Sequence, residues 1–211
     1  MGLITSRLPP GEARATGQGK WNARVNGYEE AAKKFAMMDA NDKEFSKYLG
    51  LVKGFVTDSN AVAQEKGLDA ALAFVENAKV ANKTASEVCG PLVLKGLGAT
   101  KAKTKEKAQD LLLLYIEIEK PDVVLEELQN GFTNKTPKVR AASIQTMSMA
   151  LQQFGSKPFS LKPIVKILPT LLEDKDGNVR LEAKNFVVEL YRWIGPALKP
   201  SLQNLKPIQV L

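Results

Sequence analysis

The residues of this chain suited to acting on another molecule are an indole at an odd position and a scatter of lysines. Trp21 stands in GKWNARVNGYEEA, directly after a Gly- and Pro-rich lead, where a helix is expected to begin. Large indoles are ordinarily hidden deep in a helix face, so one held at a corner suits contact with a partner. Lysines gather in polar stretches further on: Lys101, Lys103 and Lys105 in GATKAKTK, Lys135 and Lys138 in TNKTPK, Lys20 beside Trp21, and Lys175 and Lys184 around DKDGNVRLEAK. This set supports recognition, in which cations attract an acidic surface and an aromatic ring anchors it. Trp193, late in the apolar stretch FVVELYRWI, is expected in the core or at its edge.

Bond chemistry has little to work with. The chain contains no histidine, which removes His-dependent triads and the common zinc ligand sets. Its single cysteine, Cys89, lies in the apolar-flanked VCGPLVL and is expected to be a buried, inert thiol. GLGATK has the look of a phosphate cradle, but Lys101 occupies the third glycine position and no strand precedes it. Glu117 and Glu119 fall on different faces of a helix. The expectation is a binding module and not an enzyme, with no cofactor and no metal.

The chain of 211 residues is 44% hydrophobic and 25% charged, a globular balance. Its 30 Lys and Arg against 23 Asp and Glu leave a formal charge of +7 and a pI near 9.4. Such a balance points to an acidic partner: nucleic acid, an anionic membrane surface or an acidic protein. No run of about 18 apolar residues exists and MGLITSRLPP lacks a secretory apolar region, so a cytoplasmic, non-membrane protein is expected.

The elements that must position these residues are helices. DLLLLYIEIE (110–119) is apolar nearly all round, and FVVELYRWI places Phe186, Val187, Leu190, Tyr191 and Ile194 on one side at 3.6-residue spacing. TPKVRAASIQTM and DGNVRLEAKNFV both open on a Val-Arg pair, with Val139 and Val179 offset by about 40 residues, the period of HEAT or armadillo units. Further onsets fall near Trp21, at Val62 and at Thr104, a candidate cap. Thr136 is read as a capping side chain with Pro137 at the first helical position. Each onset follows a short polar turn, and stacked helix pairs would set the five turns along one edge. Arg140 and Arg180, at one repeat position, are expected to tie adjacent units together through carboxylates. Residues 1–18 read as a flexible arm and 19–211 as a single domain.

KWNARVNGYEEA, FVTDSNAVAQEKGLDAAL, YIEIEKPDVVLEELQNG, NKTPKV, ALQQFGSK and VRLEAKNFVVELYRWI together resemble the first TOG domain of the TOG-array microtubule polymerases of the Mini spindles type. The resemblance implies an all-α fold, an α-α superhelix of about six HEAT repeats shaped as a flat elongated paddle. It implies a monomeric module whose intra-repeat loops bind the curved, unpolymerised αβ-tubulin heterodimer and support microtubule plus-end polymerisation as part of an array. It also implies a place on the cytoskeleton, at plus ends, spindle poles and the centrosome. By that resemblance Trp21, with Lys20 beside it, meets β-tubulin. The second loop corresponds to Thr57, Asp58, Ser59 and Asn60, the third to Lys101 and Lys103, the fourth to Lys135 and Lys138. Asn178, Arg180 and Lys184 match the fifth, which faces α-tubulin. A sixth repeat would have to fit within 195–211. The alternative is a basic HEAT-repeat module for nucleic acid or another acidic protein, with a steep salt dependence and no need of Trp21.

Overall fold

A computed structural model describes residues 18–202. The expected arm, 1–18, lies outside the described residues except for Gln18, which opens the first helix, and so does 203–211 of the expected sixth repeat. The described residues are helical, without a strand, and the chain divides after Lys120 into two compact units, Met1–Lys120 and Pro121–Leu211. Among the described residues no helix is long and apolar enough to cross a membrane.

The first unit runs through α1 (Gln18–Met37), a 3-10 turn at Lys43–Tyr48, α2 (Val52–Val56), α3 (Ala61–Asn77), a 3-10 turn at Ala81–Thr84, α4 (Ala85–Pro91) and α5 (Ala102–Glu117). Pro91 has no N–H to donate, and the chain leaves α4 through a π-helical stretch, Leu92–Gly96, closed by Leu97 N–H donating to the Leu92 carbonyl at 3.0 Å. An aromatic core joins α1, α2 and α3. The Phe35 ring lies 4.8 Å from that of Tyr48 and 5.4 Å from that of Phe74, both edge-on. Leu111, Leu112, Tyr115 and Ile116 of α5 are buried as its continuous apolar run predicts, and the Tyr115 and Thr84 hydroxyls pair at 2.6 Å.

The second unit runs through α6 (Pro121–Phe132), α7 (Pro137–Phe154), α8 (Lys162–Leu172), α9 (Gly177–Ile194) and a 3-10 segment, Gly195–Leu202. Its core is built by Leu128, Phe132, Ile144, Met147, Leu168, Phe186 and Leu190.

The long helices lie side by side and parallel within each unit. Arg24 and Glu29 of α1 meet Asp58, in the turn before α3, and Lys66 within it. Glu65 and Asp69 of α3 meet Lys101 and Lys107 at α5. In the second unit Arg140 and Gln152 of α7 meet Asp174 and Glu189, before and within α9. Residue numbers rise together along each pair, so in each unit the turns feeding the long helices sit at the same end.

Four local expectations are corrected. α1 begins at Gln18, so Trp21 belongs to its first turn and not to the turn ahead of it. α5 begins at Ala102 after an extended Lys101, and Thr104 is buried inside the helix instead of capping it. Thr136 precedes α7 as expected, but its side chain makes no capping hydrogen bond. Tyr191 turns outward, 47% exposed, because the apolar arc of α9 is wider than the face its described neighbours cover. Trp193 is at the core edge, 44% exposed, with its indole N–H donating to Glu189 at 2.9 Å.

Glu119 ends α5 in the left-handed region, φ 65°, where Lys120 N–H donates to the Tyr115 carbonyl at 3.0 Å. A side chain with a Cβ is strained there and glycine is not. Glu119→Gly should raise the unfolding free energy by about 0.5–1 kcal/mol in denaturant titration. A lower value would show that the Glu119 side chain holds the end of α5 by other means.

Candidate protein-binding turns

In the first unit the turn between α2 and α3 is held from below. Asp58, with a side chain only 3% exposed, accepts from Arg24 Nε and Nη2 at 2.7 and 2.9 Å. Its carboxylate also accepts from the Tyr28 hydroxyl at 2.9 Å and the Asn60 amide at 2.9 Å. Asn60 in turn caps α3, accepting from the amides of Val62 and Ala63 at 2.9 and 3.1 Å. Burial opposes the Asp58 charge, but the Arg24 fork, the Asn60 amide and the Tyr28 hydroxyl together hold its pKa below the usual carboxylate range. Burial and then the adjacent carboxylate push the Tyr28 phenol up.

Around this clamp stand the other expected residues. Trp21 is half-buried, three positions before Arg24 and so above the clamp on α1; Lys20 beside it is also half-buried. The Thr57 hydroxyl donates back to the Lys53 carbonyl at 2.8 Å, and Ser59 is exposed. Lys101 and Lys103 are exposed at the onset of α5, Lys101 with its ammonium 3.6 Å from Glu65.

The second unit repeats the device. Arg140 Nη2 donates to Asp174 at 2.8 Å, Arg140 Nε lies 2.8 Å from its other oxygen, and Arg140 Nη1 donates to the Asn134 carbonyl at 2.7 Å. Asp174 accepts from the Asp176 amide, and Asp176 caps α9 through the amides of Asn178 and Val179 at 2.9 and 3.1 Å. The balance at Asp174 is the same: burial opposes, Arg140 and the Asp176 amide prevail, and the pKa falls. Arg180 donates to the Asp174 and Lys175 carbonyls at 2.7 and 2.9 Å, so it braces its own turn. Lys135, Lys138, Asn178 and Lys184 are exposed.

The candidate residues therefore fall into two kinds. Lys101, Lys103, Lys135, Lys138 and Lys184 are exposed and Trp21 is half-buried, while Asp58, Asn60 and Arg180 spend their groups on holding turns. Arg24, Tyr28 and Asp174 were missed as part of the site. A signal for them exists: Arg24 precedes Asp58 by the same 34 residues as Arg140 precedes Asp174.

Both aspartates have depressed folded pKa values, so their clamps stabilise the fold above the ordinary Asp pKa of about 4 and lose that contribution as pH falls through the folded values. Thermal melting should be flat near neutrality and decline below about pH 4. Asp58→Asn should lower stability by about 1–2 kcal/mol at neutral pH and make the acid decline shallower. Parallel declines in the two proteins would remove Asp58 from that account.

Paired helices joined by braced polar turns, in units repeating at a spacing of about 40 residues, define a HEAT-type binding scaffold with its variable chemistry on the turns. Residues 10–211 match the family model described as XMAP215/Dis1/CLASP, TOG domain, and the chain belongs to that family. It is 47% identical over 189 residues to Protein mini spindles of Drosophila melanogaster, covering 89% of this chain and 9% of that protein. Centrosomal protein 224 of Dictyostelium discoideum is 34% identical over 192 residues, covering 90% of this chain and 10% of that protein. The chain thus spans about a tenth of the length of these relatives. Among solved structures, one described under tubulin recruitment and assembly by microtubule polymerases with TOG domain arrays is 28% identical, with a TM-score of 0.84, over 92% of this chain and 42% of its own.

Proposed function

We propose that this chain binds the αβ-tubulin heterodimer through its turns and does no bond chemistry. The observation that carries the reading is a half-buried indole in the first turn of α1 and exposed lysines at or near helix onsets, beside turns that Arg24–Asp58 and Arg140–Asp174 clamps brace, in a chain similar to a structure of tubulin-recruiting polymerases. Rigid turns present their groups without an ordering cost at the moment of binding, and cations speed encounter with tubulin's acidic surface. The partner is the curved, unpolymerised dimer, and within a longer protein the module supports microtubule growth by raising local tubulin concentration beside a growing end. The naming of similar proteins for the spindle and the centrosome supports a cytoskeletal place for it at spindle poles and the centrosome, and plus ends are where the proposed growth support acts.

Trp21 and Lys20, the turn Thr57–Asn60, and Lys101 and Lys103 form the first unit's share of the contact; Lys135, Lys138, Asn178, Arg180 and Lys184 form the second's. Asp58, Asn60 and Arg180 contribute by fixing turn shape. Gel filtration with soluble tubulin at low salt should give a co-eluting complex that weakens as salt is raised. Separate elution at low salt, or capture of a nucleic-acid duplex in place of tubulin, overturns the reading. Lys184→Ala should reduce tubulin affinity by about 0.5–1 kcal/mol with no change in melting, because its ammonium is exposed. Unchanged affinity removes Lys184 from the contact.

A further inference from the structure

α3 and α9 each begin on a side chain that accepts two backbone amides, Asn60 and Asp176, as described above. α7 does not. The residue at its onset is Thr136, one repeat before Asp176, and its hydroxyl makes no capping bond. Thr136 is exposed and extended, φ −89° and ψ 116°, the conformation that a following proline imposes. Thr136-Pro137 is the single Ser/Thr-Pro pair in the whole chain. An exposed, extended hydroxyl followed by proline is what a proline-directed protein kinase accepts.

We propose that Thr136 is a phosphorylation site for a proline-directed Ser/Thr kinase, and that its phosphate supplies α7 with the anionic cap that Asp176 gives α9. In the transfer, Thr136 Oγ1 attacks the γ-phosphorus of ATP. The bond from that phosphorus to the β–γ bridging oxygen breaks, ADP departs with its electron pair, and the hydroxyl proton passes to the kinase's base. The product carries about −1.5 to −2 charge at pH 7 at a helix N-terminus, where negative charge is stabilising. Pro137 has no N–H and the Val139 amide already donates to the Thr136 carbonyl at 3.0 Å. The Lys138 amide, the counterpart of Asn178's, is left to meet the phosphate.

The turn and helix onset TNKTPKVR contain three cations and no acid, and Arg140 is committed to Asp174. One phosphate therefore cancels most of the charge that Lys135 and Lys138 present. Resting on the tubulin-binding reading, this makes the modification a switch that weakens attraction to an acidic partner.

The test treats the whole chain with a cyclin-dependent kinase, its cyclin and ATP, and maps phosphate by mass spectrometry. One phosphoryl group on Thr136 and none on Thr136→Val is expected, with melting raised by about 1–3 °C in the phosphorylated chain. No incorporation at Thr136 overturns the site, and a lowered melting temperature overturns the cap. Tubulin affinity at low salt should fall about 3- to 10-fold on phosphorylation and stay unchanged in unphosphorylated Thr136→Val. Undiminished affinity in the phosphorylated chain overturns the switch. Failure of the unmodified chain to bind tubulin overturns the tubulin reading alone, since mass and melting judge the site without tubulin.

Discussion

Gly67→Ala lowers the stability of this protein by about 3–5 kcal/mol, a fall of roughly 10 °C in melting temperature for a chain of this size. Gly67 is buried in α3 with the backbone of α2 against it. A Cβ there would lie 2.1 Å from the Phe55 carbonyl oxygen and 2.8 Å from its carbon. Rotation of a side chain relieves neither contact, because both atoms are backbone. α2 must move, and it is pinned: Phe55 is buried, with its ring 5.4 Å from that of Tyr28. The displacement reaches the site as well, since the turn bearing Thr57 to Asn60 springs from the end of α2 and Tyr28 shares Asp58 with Arg24. Gly54→Ala is the control: nothing lies within 4 Å of a Cβ at that position in the same short helix, so its effect is neutral or slightly stabilising. A Gly67→Ala protein that melts within about 2 °C of the parent would mean that α2 floats free of α3.

The repeat was legible because it is local and periodic. The Val-Arg pairs, the Pro137 onset and the Asp-Gly-Asn run are short-range devices, and α7 and α9 open where those devices stand. The continuous apolar run of α5 translated directly into burial. Arg140 as a tie between successive helix pairs of the second unit was readable from its repeat position, but Arg180, at the same position, braces its own turn's carbonyls. Thr104 misled because a cap is defined by backbone conformation, and that role fell three residues earlier on Lys101, whose side chain caps nothing. Asp58 entered the candidate site only through the resemblance of its loop, which says nothing of its burial. Its burial depends on Arg24 and Tyr28 arriving from another helix, which the residues of the turn do not encode. Tyr191 shows the reverse failure, in that periodicity assigns a side of a helix without stating what covers it.

Trp21→Ala weakens tubulin binding by about 2–4 kcal/mol, roughly 30-fold to several hundred-fold, while melting moves by less than about 2 °C. The contrast with the other tryptophan carries the argument. Trp193 is built into its unit: its N–H is satisfied by Glu189, whose other oxygen accepts from Arg192 and Gln152, and a Cβ on Gly155 would come within 3.2 Å of its ring. Removing that indole strips one partner from a buried carboxylate and uncovers the core edge, so Trp193→Ala should cost stability and leave tubulin affinity alone. Trp21 is half-buried in the first turn of α1, three residues from an arginine clamped in place, so the helix end that carries it is positioned without help from the ring. An indole half-covered by its own fold, on a helix end held by the 2.7 Å contact of Arg24 with Asp58, keeps the rest of its area for a partner to desolvate. Isothermal titration of both variants with soluble tubulin, beside their melting curves, separates the roles. If Trp21→Ala melts early and binds normally, the ring is a lid on its own helices and the anchor must be sought among the lysines.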